Sequence, residues 1–133
     1  MRILKSFIIA LVAATALVAC NKEKSDPQPA LDVVGNYGGL YGFGSDTPDT
    51  EMKIAINPGG VFQEIGVNSG APTGEGTWQL NGNSLTATYT MLFAPFNVYS
   101  VSASFDPATG KLVGTWGYDN NPSDGGKLEM SKL

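Results

Sequence analysis

The sequence predicts an all-β fold, an eight-stranded antiparallel up-and-down barrel, over residues 33–133. Three observations predict it. Turn signals recur at short intervals after residue 33. The segments between them alternate polar and apolar side chains, the period of a strand with one buried face. No stretch after Cys20 carries a helical period. Sequential antiparallel strands with one polar face leave two exposed edges, and closing the sheet removes them.

The turn signals are "GSDTPD" at 44–49, "NPGG" at 57–60, "NSGAPTGEG" at 68–76, "NGN" at 81–83, "APF" at 94–96, "DPATG" at 106–110 and "DNNPSDGG" at 119–126. Their Gly, Pro, Asn and Asp supply the dihedrals that reversals need. Seven turns separate eight strands. In the first strand, within "GNYGGLYGFG", Tyr37 and Tyr41 share the inner face and the glycines permit strong curvature. The second turns Met52, Ile54 and Ile56 inward and leaves Lys53 outside, and the third offers Ile65. The fourth sets Trp78 and Leu80 inside. In "SLTATYTML" Leu85, Ala87, Tyr89 and Met91 oppose Thr86, Thr88 and Thr90. In "VYSVSASF" Tyr99, Val101, Ala103 and Phe105 oppose Ser100, Ser102 and Ser104. Leu112 and Trp116, then Leu128 and Met130, complete the inner face. An eight-stranded barrel is wide enough only to be filled by such side chains or to hold one small ligand.

Gly-Thr-Trp occurs at 76–78 and 114–116, with Gly35-Asn36-Tyr37 as a weaker third copy. Each glycine lies two residues before the ring, hence on the same face, where a missing side chain leaves room for the ring against the backbone. Three copies are too few for a propeller of four or more blades.

Ahead of the barrel, residues 1–19 read as an export signal. Arg2 and Lys5 precede an uncharged apolar run at 7–19, which is too short to span a bilayer that needs about 20 residues. "LVAC" at 17–20 resembles the lipobox of bacterial lipoproteins, which implies cleavage before Cys20 and acylation of its thiol and new amino group. An ordinary signal peptide with a chance Cys is the alternative. Cleavage leaves 114 of the 133 residues, enough for one domain, with six of the eight Lys and Arg and all 12 acidic residues. Cys20 and "NKEKSDPQPALD" form a tether at 20–32, rich in charge and proline and too poor in apolar groups to order itself. The barrel domain, 33–133, has no cysteine and must hold itself together by its core.

The run "GEGTWQLNGNSLTATYT", with "YSVSASFDPATGKLVGTWG" and the terminal "GGKLEMSKL", resembles the small lipocalin-like lipoproteins of bacterial envelopes. The resemblance covers roughly 33–133. It departs from that pattern where Gly35-Asn36-Tyr37 stands in place of Gly-x-Trp. It implies a barrel that binds something apolar. Asn21 after the cysteine, by the same likeness, implies outer-membrane sorting, with the domain facing the periplasm or the cell surface.

The residue inventory limits the chemistry. With no His, no Arg after residue 19 and the sole Cys expected to be acylated, His-based triads, thiol proteases and His/Cys zinc sites are excluded. An acidic balance with few Lys argues against nucleic acid. Glu51, Glu64 and Glu75 fall in or beside strands, but Glu51 and Glu75 share the outward face, so solvated charge is the preferred reading over a glycosidase pair. "DNNPSDGGKLEM" fails the calcium-loop template because Asp124 and Met130 stand at its sixth and twelfth positions. No metal, cofactor or catalytic residue is expected.

The expected function is therefore non-catalytic binding of a small apolar or amphipathic molecule inside the barrel by a protein anchored to the membrane through Cys20. Tyr37, Trp78, Tyr89, Tyr99 and Trp116 are the candidate ligand-binding residues. The hydroxyls of Tyr89 and Tyr99 need partners, and "MLFAPF" at 91–96 is an apolar link where a polar turn is the norm. Core packing of the same rings is the competing reading. The alternative function is an interaction or inhibitor module with a filled core that acts through its loops on a protein partner.

Overall fold

The computed structural model describes residues 33–133. The signal, the tether and Cys20 lie outside the described residues. Eight strands are formed: β1 (Gly35–Tyr41), β2 (Thr50–Asn57), β3 (Val61–Ile65), β4 (Pro72–Asn81), β5 (Ser84–Met91), β6 (Val98–Asp106), β7 (Lys111–Tyr118) and β8 (Gly126–Lys132). Each pairs antiparallel with the next, and β1 pairs with β8, so the sheet is a closed barrel in chain order. Alternation is the cause. β5 buries every second residue from Leu85 to Met91, as its sequence predicts.

The loops fall where the turn signals stand, with one boundary moved. The stretch 68–76 reads as a turn, yet β4 already begins at Pro72. A register shift between Glu64 and Ile65 joins β3 to this early start, pairing Glu64 with Gly74 and Ile65 with Pro72, so that Thr73 is the extra residue of a bulge.

The face of β3 also departs from expectation. Ile65 is the residue predicted inward, and it does edge the cavity at the open end, but the face of β3 paired against Ile54 and Ile56 carries Phe62, fully enclosed, and the half-buried Glu64. Hydrophobicity alone favoured the wrong phase because Val61 and Ile65 are both apolar and both lie on the other alternation.

The glycines of the Gly-Thr-Trp copies also do a different job from the one expected. A Cβ on Gly76 would lie 2.5 Å from the Tyr89 Cα, and one on Gly114 would lie 2.5 Å from the Ala103 Cα. Both glycines admit the backbone of the neighbouring strand, as tight bends of a small barrel require. Room for rings is made elsewhere. Gly74 lies under Tyr89, and Gly125 lies against the Trp116 indole.

The lower part of the interior is filled. Val33, Ile54, Ile56, Phe62, Leu85, Phe105, Leu112 and Met130 are buried there. The short connections 58–60, 82–83 and 107–110 close this end. The longer ones, 42–49, 66–71, 92–97 and 119–125, surround the other.

Candidate functional site

A cavity of about 350 Å³ occupies the end ringed by the longer connections. That is the lower part of the usual range for small-molecule sites. Of its 16 lining residues seven are aromatic: Tyr41, Phe43, Tyr89, Phe93, Tyr99, Trp116 and Tyr118. Strand direction puts them together. Tyr41, Tyr89 and Trp116 stand at the far ends of rising strands, and Tyr99 at the start of a descending one.

The rings touch in a continuous arc. Phe62 and Tyr89 have centroids 5.2 Å apart, Tyr89 and Tyr99 5.7 Å, Tyr99 and Trp116 6.0 Å, and Trp116 and Tyr41 5.6 Å. Tilted and edge-on contacts at these separations are favourable for π systems. Trp116 is fixed further by its indole N–H, which donates to the Gly42 carbonyl at 2.9 Å. Phe43 packs edge-on to the same indole at 5.4 Å.

The polar centre is Glu64. Tyr89 Oη donates to Glu64 Oε2 at 2.7 Å, and the single Thr73 Oγ1 proton is shared between Oε1 and the Glu64 main-chain carbonyl, each at 3.3 Å. Gly74, across from Glu64 on β4, lets the Tyr89 ring lie close enough to make the first of these bonds. Burial and then the Glu64 charge push the Tyr89 hydroxyl well above the ordinary phenol range. The Tyr41 hydroxyl is raised too, by burial and by the same carboxylate. Among the described residues Glu64 has no cationic partner.

The five candidate binding residues divide. Tyr89, Tyr99 and Trp116 line the cavity. Tyr37 and Trp78 do not. Tyr37 is fully buried near the closed end, where its hydroxyl donates to the Val33 carbonyl at 2.6 Å. The Trp78 indole donates to the Asn57 carbonyl at 2.8 Å, beside the 58–60 turn. The tyrosine hydroxyls find partners within the protein: Tyr89 on Glu64, and Tyr99 as acceptor from Asn97 Nδ2 at 3.3 Å. Glu64, Tyr41, Phe43 and Tyr118 are additions that the sequence reading did not assign to the site, whereas Phe93 belongs to the apolar 91–96 link.

The mouth has two further features. Beyond Lys53, β2 loses its β3 partner, so Glu51, Lys53, Gly66 and Val67 edge a lateral notch into the cavity. Phe43, Leu92, Phe93, Phe96 and Tyr118 are each about half exposed around the rim. No group of His, Cys, Asp or Glu among the described residues could hold a metal ion. Comparison with known proteins finds no matching family model, no matching curated protein and no matching solved structure.

Proposed function

We propose that this protein is a lipid-anchored, non-catalytic binding protein of the bacterial envelope, similar to the lipocalin-like lipoproteins. Acylation at Cys20 attaches it to the outer membrane, and the open end of the barrel takes one small amphipathic molecule. The observation that carries the binding half is the aromatic cavity of about 350 Å³ at the mouth, above a core that is otherwise filled. The lipobox "LVAC" supports the anchor.

The two tryptophans make the test selective, because Trp116 lines the cavity and Trp78 does not. Titration with a panel of single-chain amphiphiles is expected to change the fluorescence of the wild type and of Trp78→Phe, but not of Trp116→Phe. At 100 times the dissociation constant the ligand stabilises the fold by about 2.7 kcal/mol, visible as a raised melting temperature. A panel that moves neither signal refutes the reading.

A second reading rests on the exposed loop residues Leu92, Phe93 and Phe96, an apolar patch suited to a protein partner. It predicts that Leu92→Ser with Phe96→Ser abolishes partner capture and leaves ligand titrations unchanged.

A further inference from the structure

We infer that the ligand of this cavity carries a cationic nitrogen, an organic ammonium on an apolar body, held against the Glu64 carboxylate within the arc of Tyr41, Tyr89, Tyr99 and Trp116. The inference rests on the binding reading above and adds the charge of the ligand to it.

The argument begins with what the cavity offers. Glu64 is a half-buried carboxylate whose two oxygens accept only from neutral hydroxyls, Tyr89 and Thr73. A carboxylate withdrawn from water is normally paired, because desolvation is costly and a cation recovers part of it. Among the described residues no cation does so. Among the described residues Lys53 is the only ammonium lining the cavity; it sits at the edge of the notch beside Glu51, which shares its alternation on β2.

The rings point to the same chemistry. Aromatic faces attract cations through their quadrupole, and clusters of such rings are the general device for recognising quaternary ammonium groups. The edge that would favour an anion is occupied, since the Trp116 N–H is committed to Gly42. The Tyr89 proton is committed to Glu64. What remains towards the cavity is a carboxylate, π faces and the hydroxyls of Tyr41 and Tyr99, which can accept as well as donate, so that the charge set among the rings is negative. A fatty-acid carboxylate would meet Glu64 and be repelled. The size agrees with a modest ligand, for 350 Å³ equals the share of about a dozen waters at ~30 Å³ each.

The test compares three probes with one apolar chain: octyltrimethylammonium, octanol and octanoate, each titrated below its micelle concentration by calorimetry and by Trp116 fluorescence. The ammonium is expected to bind wild type at least tenfold more tightly than octanol, with octanoate weakest. Glu64→Gln keeps an acceptor for Tyr89 and is expected to lower ammonium affinity about tenfold while leaving octanol unchanged. Should that variant fail to fold, Tyr41→Leu provides the second reading, with a several-fold loss for the ammonium alone. Octanol or octanoate binding as tightly as the ammonium overturns the charge assignment and leaves the binding reading standing. Equal losses for octanol and ammonium in both variants overturn it as well. Failure of all three probes to bind wild type refutes both readings together.

Discussion

Gly114→Ala places the closure of the barrel under direct test. Gly114 pairs with Ala103 on one side and Leu128 on the other, in the middle of the sheet. A Cβ there would run first into the Ser102 carbonyl oxygen and sit 2.5 Å from the Ala103 Cα, against at least 3.4 Å for ordinary contact, so β6 and β7 must separate by about 1 Å or more. The atoms it meets first are backbone, which no rotamer change can move aside. Overpacking of this kind costs about 1–3 kcal/mol. Against it stands a gain of about 0.4–1 kcal/mol, because alanine restricts the unfolded chain. The clash wins over most of that range, and Gly114→Ala is expected to lose about 1–2 kcal/mol. For a domain of this size that is a fall in melting temperature of about 4–16 °C. The control is Gly59→Asn, where φ is +81° and nothing lies within 4 Å of the added carbon. Asparagine tolerates that conformation, so a change of only a few tenths of a kcal/mol is expected. Thermal melts by circular dichroism read both variants. A Gly114→Ala loss no larger than that of Gly59→Asn refutes the claim that close strand approach demands this glycine.

Two further outcomes are expected. Burial pushes the Tyr37 hydroxyl from its ordinary 10.0 up to about 12, so the native state retains a proton that the unfolded chain releases. Its contribution is complete below about pH 10 and is lost as the pH rises through 12, with a slope of up to ~1.4 kcal/mol per pH unit. Tyr37→Phe loses the bond to Val33, about 1 kcal/mol at neutral pH, but shows a shallower alkaline decline. Denaturant melts from pH 8 to 12 decide, and an unchanged slope rejects the assignment. Cys20→Ser is expected to abolish incorporation of labelled fatty acid and membrane fractionation together, and label that survives the substitution rejects acylation at Cys20.

Much of the fold was legible in the sequence because strand period and turn chemistry are local signals. β5 alternates without a break, and its inward set matches the buried residues one for one from Leu85 to Met91. In β6 the period breaks at one end, where Ser100, expected outside, is buried with its hydroxyl donating to the Asp119 carbonyl and Tyr99 is only half-buried. The turns at 58–60, 82–83 and 107–110 stand on the Gly, Pro, Asn and Asp that announce them. β3 was not legible. Its five residues place apolar side chains on both alternations, so the period cannot choose a phase. The choice is made by register with β2, where Ile56 faces Phe62 and Ile54 faces Glu64. That pairing is a long-range fact. The glycines misled for the same reason, since a close strand approach leaves no trace in the strand that bears the glycine.

The site was only half legible, and strand direction explains which half. In an up-and-down barrel the last residues of odd-numbered strands and the first residues of even-numbered ones lie at one level. Tyr41 ends β1, Met52 lies near the start of β2, Glu64 is one residue from the end of β3, Gly74 lies near the start of β4, Tyr89 and Met91 are at the end of β5, Tyr99 is near the start of β6 and Trp116 nears the end of β7. All but Gly74 line the cavity. Tyr37, at the start of β1, and Trp78, near the end of β4, belong to the opposite level by the same rule. Grouping the aromatic residues by face alone merges the two levels and puts Tyr37 and Trp78 beside Tyr99. Adding the level separates a filled lower interior of mostly Ile, Leu, Val and Phe, where Tyr37 and Trp78 pack with their polar atoms bonded to the Val33 and Asn57 carbonyls, from an upper one of Tyr41, Tyr89, Tyr99 and Trp116. Flat rings bearing polar groups, with a glycine and a carboxylate among them, cannot fill a tapering space in the same way. The cavity is therefore at the mouth because the sequence changes its side chains along the barrel axis, from branched aliphatics to rings around Glu64.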